Sequence, residues 1–276
     1  VTKLLGLLLL FAAAAVLPAQ SLRVMTFNVR FPNPDDGFNI WENRRELLAD
    51  TIRRYDPDIF GTQEMYESQG DYIAEQLPRY RWLGIGREGD HDGEHMGVFY
   101  KKDKFFPVES GNFWLSETPT VPASMSWNVS LPRMVTWVRF RDVQGEEFWF
   151  YNTHFPHRAE DAAARFEASK VIAADIAKRV PSGARLIVVG DFNSAADSDV
   201  HELLTKTLTD AWASSPIKRG TETTSSRWTG ETEGRRIDWI LYRGAVKPLS
   251  IETVNYQLRG RYPSDHYPVY AEFVLE

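Results

Sequence analysis

The sequence predicts an α/β protein in which two packed sheets of mixed pairing carry helices on their outer faces. Three features lead there: strand-like runs are many, helical runs are few but clearly amphipathic, and hairpin connections alternate with strand–helix–strand connections. The last feature excludes sheets that are purely parallel or purely antiparallel.

In chain order, Val24 to Asn28 alternates as a strand, and Glu42 to Tyr55 puts Leu47, Leu48, Thr51 and Ile52 on one face of a helix. Asp58 to Glu64 is a short apolar run ending in a carboxylate. Asp71 to Leu77 reads as a short helix and His95 to Lys101 as a strand. The Pro- and Ser-containing stretch from Gly111 to Pro132 reads as a long loop, a type that is uncommon unless functional or disordered. Met134 to Arg141 and Glu147 to His154 form a hairpin with Gln144-Gly145 in its connection. Glu160 to Val180 is a second long helix, with Phe166, Val171, Ile172 and Ile176 as its apolar face. Strands over Arg185 to Val189, Ile237 to Tyr242 and Tyr267 to Leu275, and a helix over Val200 to Trp212, complete the set.

The first residues stand apart. Lys3, an uncharged apolar run from Leu4 to Leu17 and then Pro18-Ala19-Gln20-Ser21 read as a secretory signal peptide over residues 1–19, leaving one domain over 20–276. The alternative, a membrane anchor, needs about 20 apolar residues, more than this run supplies. No linker, low-complexity tract or internal repeat divides the rest. The 276 residues hold no cysteine, so neither disulfides nor a lipid-modified N-terminal cysteine can form. Export without disulfides suits a bacterial secreted or periplasmic enzyme that relies on a large core, and 43% hydrophobic residues supply one. After leader cleavage no stable membrane insertion is expected, and the expected state is a monomer. A net charge of −6 with scattered Lys and Arg argues against an enzyme of long nucleic-acid duplexes and favours small phosphate esters.

Chemistry gathers at the strand ends. Asn28, Glu64, Asn152 with His154, Gly190-Asp191-Phe192-Asn193, Asp238 and Ser264-Asp265-His266 each sit at the end of a strand-like run. Hydrolysis of a phosphate ester needs a cation for the ester oxygens, an oriented water and a donor for developing charge. Mg²⁺ or Mn²⁺ prefers carboxylate, carbonyl and water ligands, so Glu64 fits as principal ligand, with Asn28 beside it and Asp265 helping directly or through water. His266 paired with Asp238 forms an acid–base unit, because the carboxylate fixes the imidazole tautomer and raises its basicity. His154 is a candidate donor to a phosphoryl oxygen or leaving group. Each residue has a plainer reading: Glu64 as an exposed strand-end acid, Asp191 and Asn193 as an Asx turn, a lone His as structural.

Taken in order, these six segments resemble the endonuclease/exonuclease/phosphatase family from about Arg23 to the C-terminus. The resemblance implies a four-layer α/β/β/α sandwich with the site at one edge of two mixed sheets. It assigns Asp191 to orienting or deprotonating the attacking water and Asn193 to holding phosphate and water. Whether Asp191 or His266 takes the water proton stays open. A tyrosine is expected at the position of His154 in the abasic-site DNA repair branch. A histidine there is more similar to the secreted nuclease, sphingomyelinase and phosphatase branches.

For specificity, Pro156-His157-Arg158 could bring an imidazole and a guanidinium to a second phosphate or polar group, or could be a solvated helix start. Trp114, Trp127 and Arg133 could cap the pocket, the aromatics stacking on a sugar, inositol or head group while Arg133 grips phosphate. Alternatively the tryptophans only pack the loop down. Glu88 to His95 reads as a solvated acidic loop rather than a metal cluster, and His201 as structural. The expected function is an exported, Mg²⁺- or Mn²⁺-dependent hydrolase of phosphate esters. A secreted nonspecific nuclease is the second choice, followed by a sphingomyelinase-like lipase and a catalytically silent binding module.

Overall fold

Residues 20–276, which a computed structural model describes, form two sheets packed face to face with helices outside them; the expected leader, residues 1–19, lies outside the described residues. The chain runs β1 (Gln20–Asn28), α1 (Trp41–Tyr55), β2 (Ile59–Gln63), α2 (Glu67–Gln76), β3 (Tyr80–Leu83), β4 (Val98–Lys101) and β5 (Phe105–Trp114). It continues through β6 (Met134–Asp142), β7 (Glu147–His154), α3 (Ala162–Arg179), β8 (Leu186–Asp191), α4 (Asp199–Thr205), β9 (Thr209–Asp210) and α5 (Ala211–Ser214). Strands β10 (Lys218–Arg219), β11 (Asp238–Arg243), β12 (Val246–Thr253) and β13 (Val269–Leu275) complete it.

One sheet has the order β10-β12-β13-β1-β2-β4-β3 and the other β5-β6-β7-β8-β11-β9. Both are mixed. β1 and β2 run parallel across the α1 crossover, β7 and β8 run parallel across α3, and most other neighbours are antiparallel. Period-two alternation sorts each central strand between two apolar layers. Val24, Ile59, Phe150, Ile187, Val189 and Ile240 meet between the sheets. Phe27, Phe60 and Phe99 turn outward against Leu48 and Ile52 of α1. Tyr151, Val188 and Trp239 turn outward against Ile172 and Ile176 of α3. Three apolar interfaces between four layers are what the α/β/β/α expectation requires.

Several local expectations change. Gly111 to Trp114 are not loop: they complete β5, paired with β6 from Trp137 back to Met134, and the true loop starts at Leu115. The helix expected over Val200 to Trp212 breaks after Thr205, because Asp210 pairs with β11 and its carboxylate caps α5 at the Trp212 amide and accepts from Arg236. Glu88 to His95 is solvated only in part. His91 is exposed against Glu67, whereas Glu94 and His95 are buried, Glu94 by an ion pair to Arg87 at 2.7 Å. Strands β3, β5 and β12 and the two-residue β9 and β10 are absent from the sequence expectation; β3 and β5 are the outermost strands of their sheets, and β12 is covered on one side only by β10. Among the described residues no helix is long and apolar enough to cross a membrane.

Candidate active site

The same alternation that builds the inter-sheet layer delivers the polar residues to one end of it. Along β1 the inner file reads Leu22, Val24, Thr26, Asn28; along β7 it reads Phe148, Phe150, Asn152, His154; along β8 it reads Ile187, Val189, Asp191. β11 runs antiparallel to β8 and begins where β8 ends, so Asp238 lies directly opposite Asp191. The parallel pairs β1–β2 and β7–β8 bring Asn28 beside Gln63 and His154 beside Asp191. Each file changes from apolar to polar at the same edge of the sandwich.

Asn152 fastens the two sheets there. Its amide donates to the carbonyls of Thr62 and Gly97 at 2.8 and 2.9 Å, and its oxygen accepts from Gln63 Nε2 at 2.6 Å. A Cβ on Gly61 would lie 2.6 Å from the Asn152 carboxamide carbon, so only glycine permits this approach.

Asp191 is the hub. Its Oδ2 accepts from Asn28 Nδ2 at 3.0 Å and lies 3.4 Å from His154 Nε2 and 3.9 Å from His266 Nε2; its Oδ1 accepts from the Asn193 amide at 2.9 Å. Asn28 Nδ2 also donates to Glu64 Oε1 at 3.0 Å, while Asn28 Oδ1 accepts from the Arg30 amide. Asn28 therefore meets both carboxylates through its nitrogen. His266 Nδ1 is paired with Asp238 Oδ2 at 2.9 Å, as expected. Asn193 Nδ2 lies 3.0 Å from His154 Nε2 and donates to the Phe155 carbonyl. Glu64, Asn193 and Arg30 all hold positive φ, a strained state for residues with side chains, and all three lie at this site.

Burial, reinforced by the charge of Asp238, raises the Asp191 carboxyl to about 7. Burial works against the His266 imidazolium, but Asp238 and Asp191 outweigh it and hold the ring well above the usual imidazole value. His154 goes the other way: burial first, then the Arg133 charge, push it well below that value. Two imidazoles beside one carboxylate are thus set to opposite protonation states.

Ligand atoms of Glu64, His154 and Asp191 lie within 4.8 Å of one another, as do those of Asp191, Asp238 and His266. Hard carboxylate oxygens dominate the first group, which fits a divalent cation such as Mg²⁺ or Mn²⁺. Asp265 belongs to neither group; its Oδ2 stands 3.9 Å from Arg30 Nε, and its carboxyl is raised by burial.

The expected specificity residues separate. Arg133 reaches the site, but it is buried and directed at His154 and His157 rather than free in a loop. His157 sits exposed at the rim. Arg158 turns away: its guanidinium forks onto Asp161 and donates to the Asn128 carbonyl. Trp127 lines a different cavity, of about 660 Å³, between the loop after β5 and α3, and packs on the α3 layer. Trp114 is buried and donates to the Arg87 carbonyl.

Sequence reasoning missed Arg30, Glu94 and Arg44. Arg30 forks onto Asp36 and stands 3.7 Å from Glu64 Oε2. Buried Arg44 donates to the carbonyls of Val29, Arg30 and Pro263, tying the chain after Asn28 to the chain before Asp265. A signal for Arg44 existed: it lies on the same helical stripe as Leu47, Leu48, Thr51 and Ile52.

Comparison with known proteins gives the same fold. Residues 25–266 match the model of the Endonuclease/Exonuclease/phosphatase family. An endonuclease/exonuclease/phosphatase structure from Bacteroides vulgatus is 32% identical, with a TM-score of 0.87 over 93% of this chain and 100% of that one. A mannosyl-6-phosphatase from Bacteroides thetaiotaomicron is also 32% identical, with a TM-score of 0.84 over 92% of this chain and 99% of that one. D. rerio TDP2, complexed with a single-strand DNA product, shares the fold at 22% identity, with a TM-score of 0.73 over 92% of this chain and 98% of that one. An uncharacterized protein of Acanthamoeba polyphaga mimivirus is 27% identical over 56% of this chain, and the match spans 59% of that relative's length.

Proposed function

This chain belongs to the endonuclease/exonuclease/phosphatase family, and from that premise we propose that it is an exported, divalent-metal-dependent hydrolase of phosphate esters, acting on a small or lipid-derived substrate. The observation that carries the reading is the position of Asp191, whose Oδ2 lies within 3.9 Å of Nε2 of both His154 and His266 and within 3.0 Å of the Asn28 amide that also binds Glu64. A likeness to a protein described as a mannosyl-6-phosphatase supports a phosphatase over a nuclease. So does the net charge of −6. The leader-like residues 1–19 support export of a mature chain that begins near Gln20.

In this reading Glu64, with Asp265 assisting, holds Mg²⁺ or Mn²⁺, which when bound supplies Lewis-acid stabilisation of the ester oxygens. Asp191 orients the attacking water and is the better placed of the two candidate bases, because His266 already carries its proton between Asp191 and Asp238. Neutral His154 offers an N–H to a phosphoryl oxygen, and the Asn193 amide positions phosphate and water beside it. Water attacks in line as its proton passes to Asp191, the ester P–O bond breaks with the leaving oxygen taking a proton from solvent, and no covalent enzyme intermediate forms.

The test is a panel of p-nitrophenyl phosphate, bis-p-nitrophenyl phosphate, sugar and inositol phosphates, sphingomyelin and plasmid DNA, run with and without EDTA. Turnover is expected to vanish in EDTA, return with Mg²⁺ or Mn²⁺, and fall at least about 10²-fold in Asp191→Asn, the scale of one positioned acid–base group. Full activity in EDTA would overturn metal dependence, and unchanged turnover in Asp191→Asn would overturn the site. Preference for plasmid DNA with a steep salt dependence would restore the nuclease alternative.

A further inference from the structure

Arg133 spends its guanidinium on two imidazoles at once. Its Nη1 lies 2.8 Å from His154 Nδ1, and its Nη2 lies 3.0 Å from His157 Nδ1. A guanidinium has only donors, so each Nδ1 must accept and carries no proton. A neutral imidazole has one ring proton, which leaves both rings as Nε2–H tautomers; at His154 that proton faces Asp191 Oδ2 at 3.4 Å, and Asn193 Nδ2, itself a donor 3.0 Å from Nε2, is satisfied by the Phe155 carbonyl instead. Neither ring is disposed to take a second proton. Burial and then the Arg133 charge lower both below the usual imidazole value.

The charge of Arg133 is balanced without disturbing this arrangement. Glu94 Oε2 lies 3.6 Å from Arg133 Nη1 and 2.7 Å from Arg87 Nη1, but 3.9 Å from His154 Nδ1. The guanidinium, not the carboxylate, is the group bonded to His154.

Beside these rings is a cavity of about 120 Å³ whose lining includes Arg30, Glu64, Arg133, His154 and His157. At about 30 Å³ per water, that is room for roughly four waters. The space suits a phosphoryl group.

We propose that this cavity receives the terminal phosphoryl group of a phosphate monoester, that His157 is a second phosphoryl-oxygen donor beside His154, and that Arg133 is the positioning residue that fixes both rings with Nε2–H as the donor. The identity of the ligand rests on the phosphoesterase reading above; the tautomers do not. Above about neutral pH a monoester carries two negative charges on one end, which the Arg30 and Arg133 guanidiniums and two N–H donors complement. A diester carries one charge and has to pass a second ester arm out of the same small space.

The experiment has two arms on the full mature chain. In the first, nitrogen-15 histidine NMR in EDTA at pH 8 reads the tautomers. Both rings are expected as Nε2–H with unprotonated Nδ1, and Arg133→Met is expected to release both into tautomer mixtures. An Nδ1–H signal at His154 or His157 in the wild type, or unchanged tautomers in folded Arg133→Met, would overturn the positioning role. Should Arg133→Met not fold, Arg133→Lys serves. One ammonium in place of the fork is expected to hold one ring and release the other, and two unchanged rings would overturn the role.

The second arm uses inorganic phosphate, with Mg²⁺ present, and the two nitrophenyl esters. His157→Ala is expected to weaken phosphate binding about tenfold, the worth of one hydrogen bond to a charged group. The monoester-to-diester ratio of kcat/KM is expected to fall by a similar factor. An unchanged ratio, or unchanged phosphate affinity, would overturn the pocket assignment. A protein without any phosphoesterase activity would overturn the underlying functional reading and remove the monoester pocket with it, while the NMR arm would still decide the role of Arg133.

Discussion

Asp191 is a carboxylate placed where its charge is unwelcome. Its pKa in the folded chain, about 7, lies above the 3.8 usual for an aspartate in an unfolded chain. Folding therefore favours the protonated form, and the stability this group contributes is lost as pH rises from about 4 to about 7. Above that range an ionised Asp191 costs folding free energy. In EDTA at pH 8, Asp191→Asn is expected to be more stable by about 1 kcal/mol or more, a rise in Tm of about 2–4 °C, while losing turnover. A thermal melt of the two proteins checks this, and a lower Tm in the variant would mean that Asp191 is held by partners stronger than its burial. At the same scale, kcat/KM at limiting metal is expected to decline as pH falls below about 7, where Asp191 takes up a proton and can no longer act on water. That this residue is a candidate for chemistry was legible as Gly190-Asp191-Phe192-Asn193 at a strand end. How strongly it is perturbed was not, because burial by Asn28 and Asp238 comes from strands distant in the chain.

Between elements, Phe192 shows how the scaffold holds the site from behind. It lies between Asp191 and Asn193 but turns to the opposite face, where it stacks on Trp239 at 4.4 Å between ring centroids and meets Phe155 at 5.1 Å. Trp239 follows Asp238, and Phe155 follows His154. One aromatic cluster thus fixes the ends of β7 and β8 and the start of β11, each of which carries a site residue on its other face. Phe192→Ala is expected to cost about 3–5 kcal/mol in urea unfolding, as for a large aromatic removed from a closed core. At temperatures where it remains folded, it is expected to lower kcat by about tenfold or more through misplacement of Asp191 and Asn193. A loss of stability with kcat intact would show that the strand ends hold their geometry without the stack. The element pattern itself was legible where it was long. The helices over 42–55 and 160–180, and the hairpin ending at His154, follow from periods of about 3.6 and 2. Strands β5 and β12, the short β3 and the two-residue β9 and β10 escaped because their pairing partners, not their own sequences, make them strands.

Across the whole molecule, β2 carries Glu64 just beyond one end and Asp58 just before the other. Asp58 anchors a buried ion cluster there: it accepts from Lys101 Nζ at 3.0 Å, Lys104 Nζ at 2.9 Å and Arg23 Nη2 at 3.1 Å, and Lys101 is wholly buried. Burial opposes ionisation of Asp58, yet these cations outweigh it and hold the carboxyl at about 2. Its pKa is thus depressed, so the stability it contributes is present above the unfolded value near 3.8 and is lost as pH falls from about 4 towards 2. Asp58→Asn leaves Lys101 buried with weaker compensation and is expected to cost about 3–5 kcal/mol at pH 7. It is also expected to flatten the loss of stability between pH 4 and pH 2. A variant as stable as the wild type at pH 7 would show that Asp56, whose Oδ2 lies 2.8 Å from Lys101 Nζ, alone neutralises that lysine. Because this cluster lies at the end of β2 away from Glu64, metal-dependent turnover per folded molecule is expected to be unaffected.

The sequence by itself determined which residues are available for chemistry and which way they face. Period-two alternation carries an apolar file into Asn28, His154, Asp191 and Asp238, and that is a local property of each strand. It could not determine which strand ends meet. Asn28 and Asp191 are separated by 163 positions, yet one hydrogen bond joins them, since β1 and β8 face each other across the sandwich. The same nonlocal geometry turned Arg133 from a free phosphate contact into a buried partner of two imidazoles, sent Trp127 to a different cavity, and made Arg44 a clamp between two site segments. Each side chain's direction is set by its own neighbours in sequence, but its partners are set by sheet order and layer packing, which no single segment encodes.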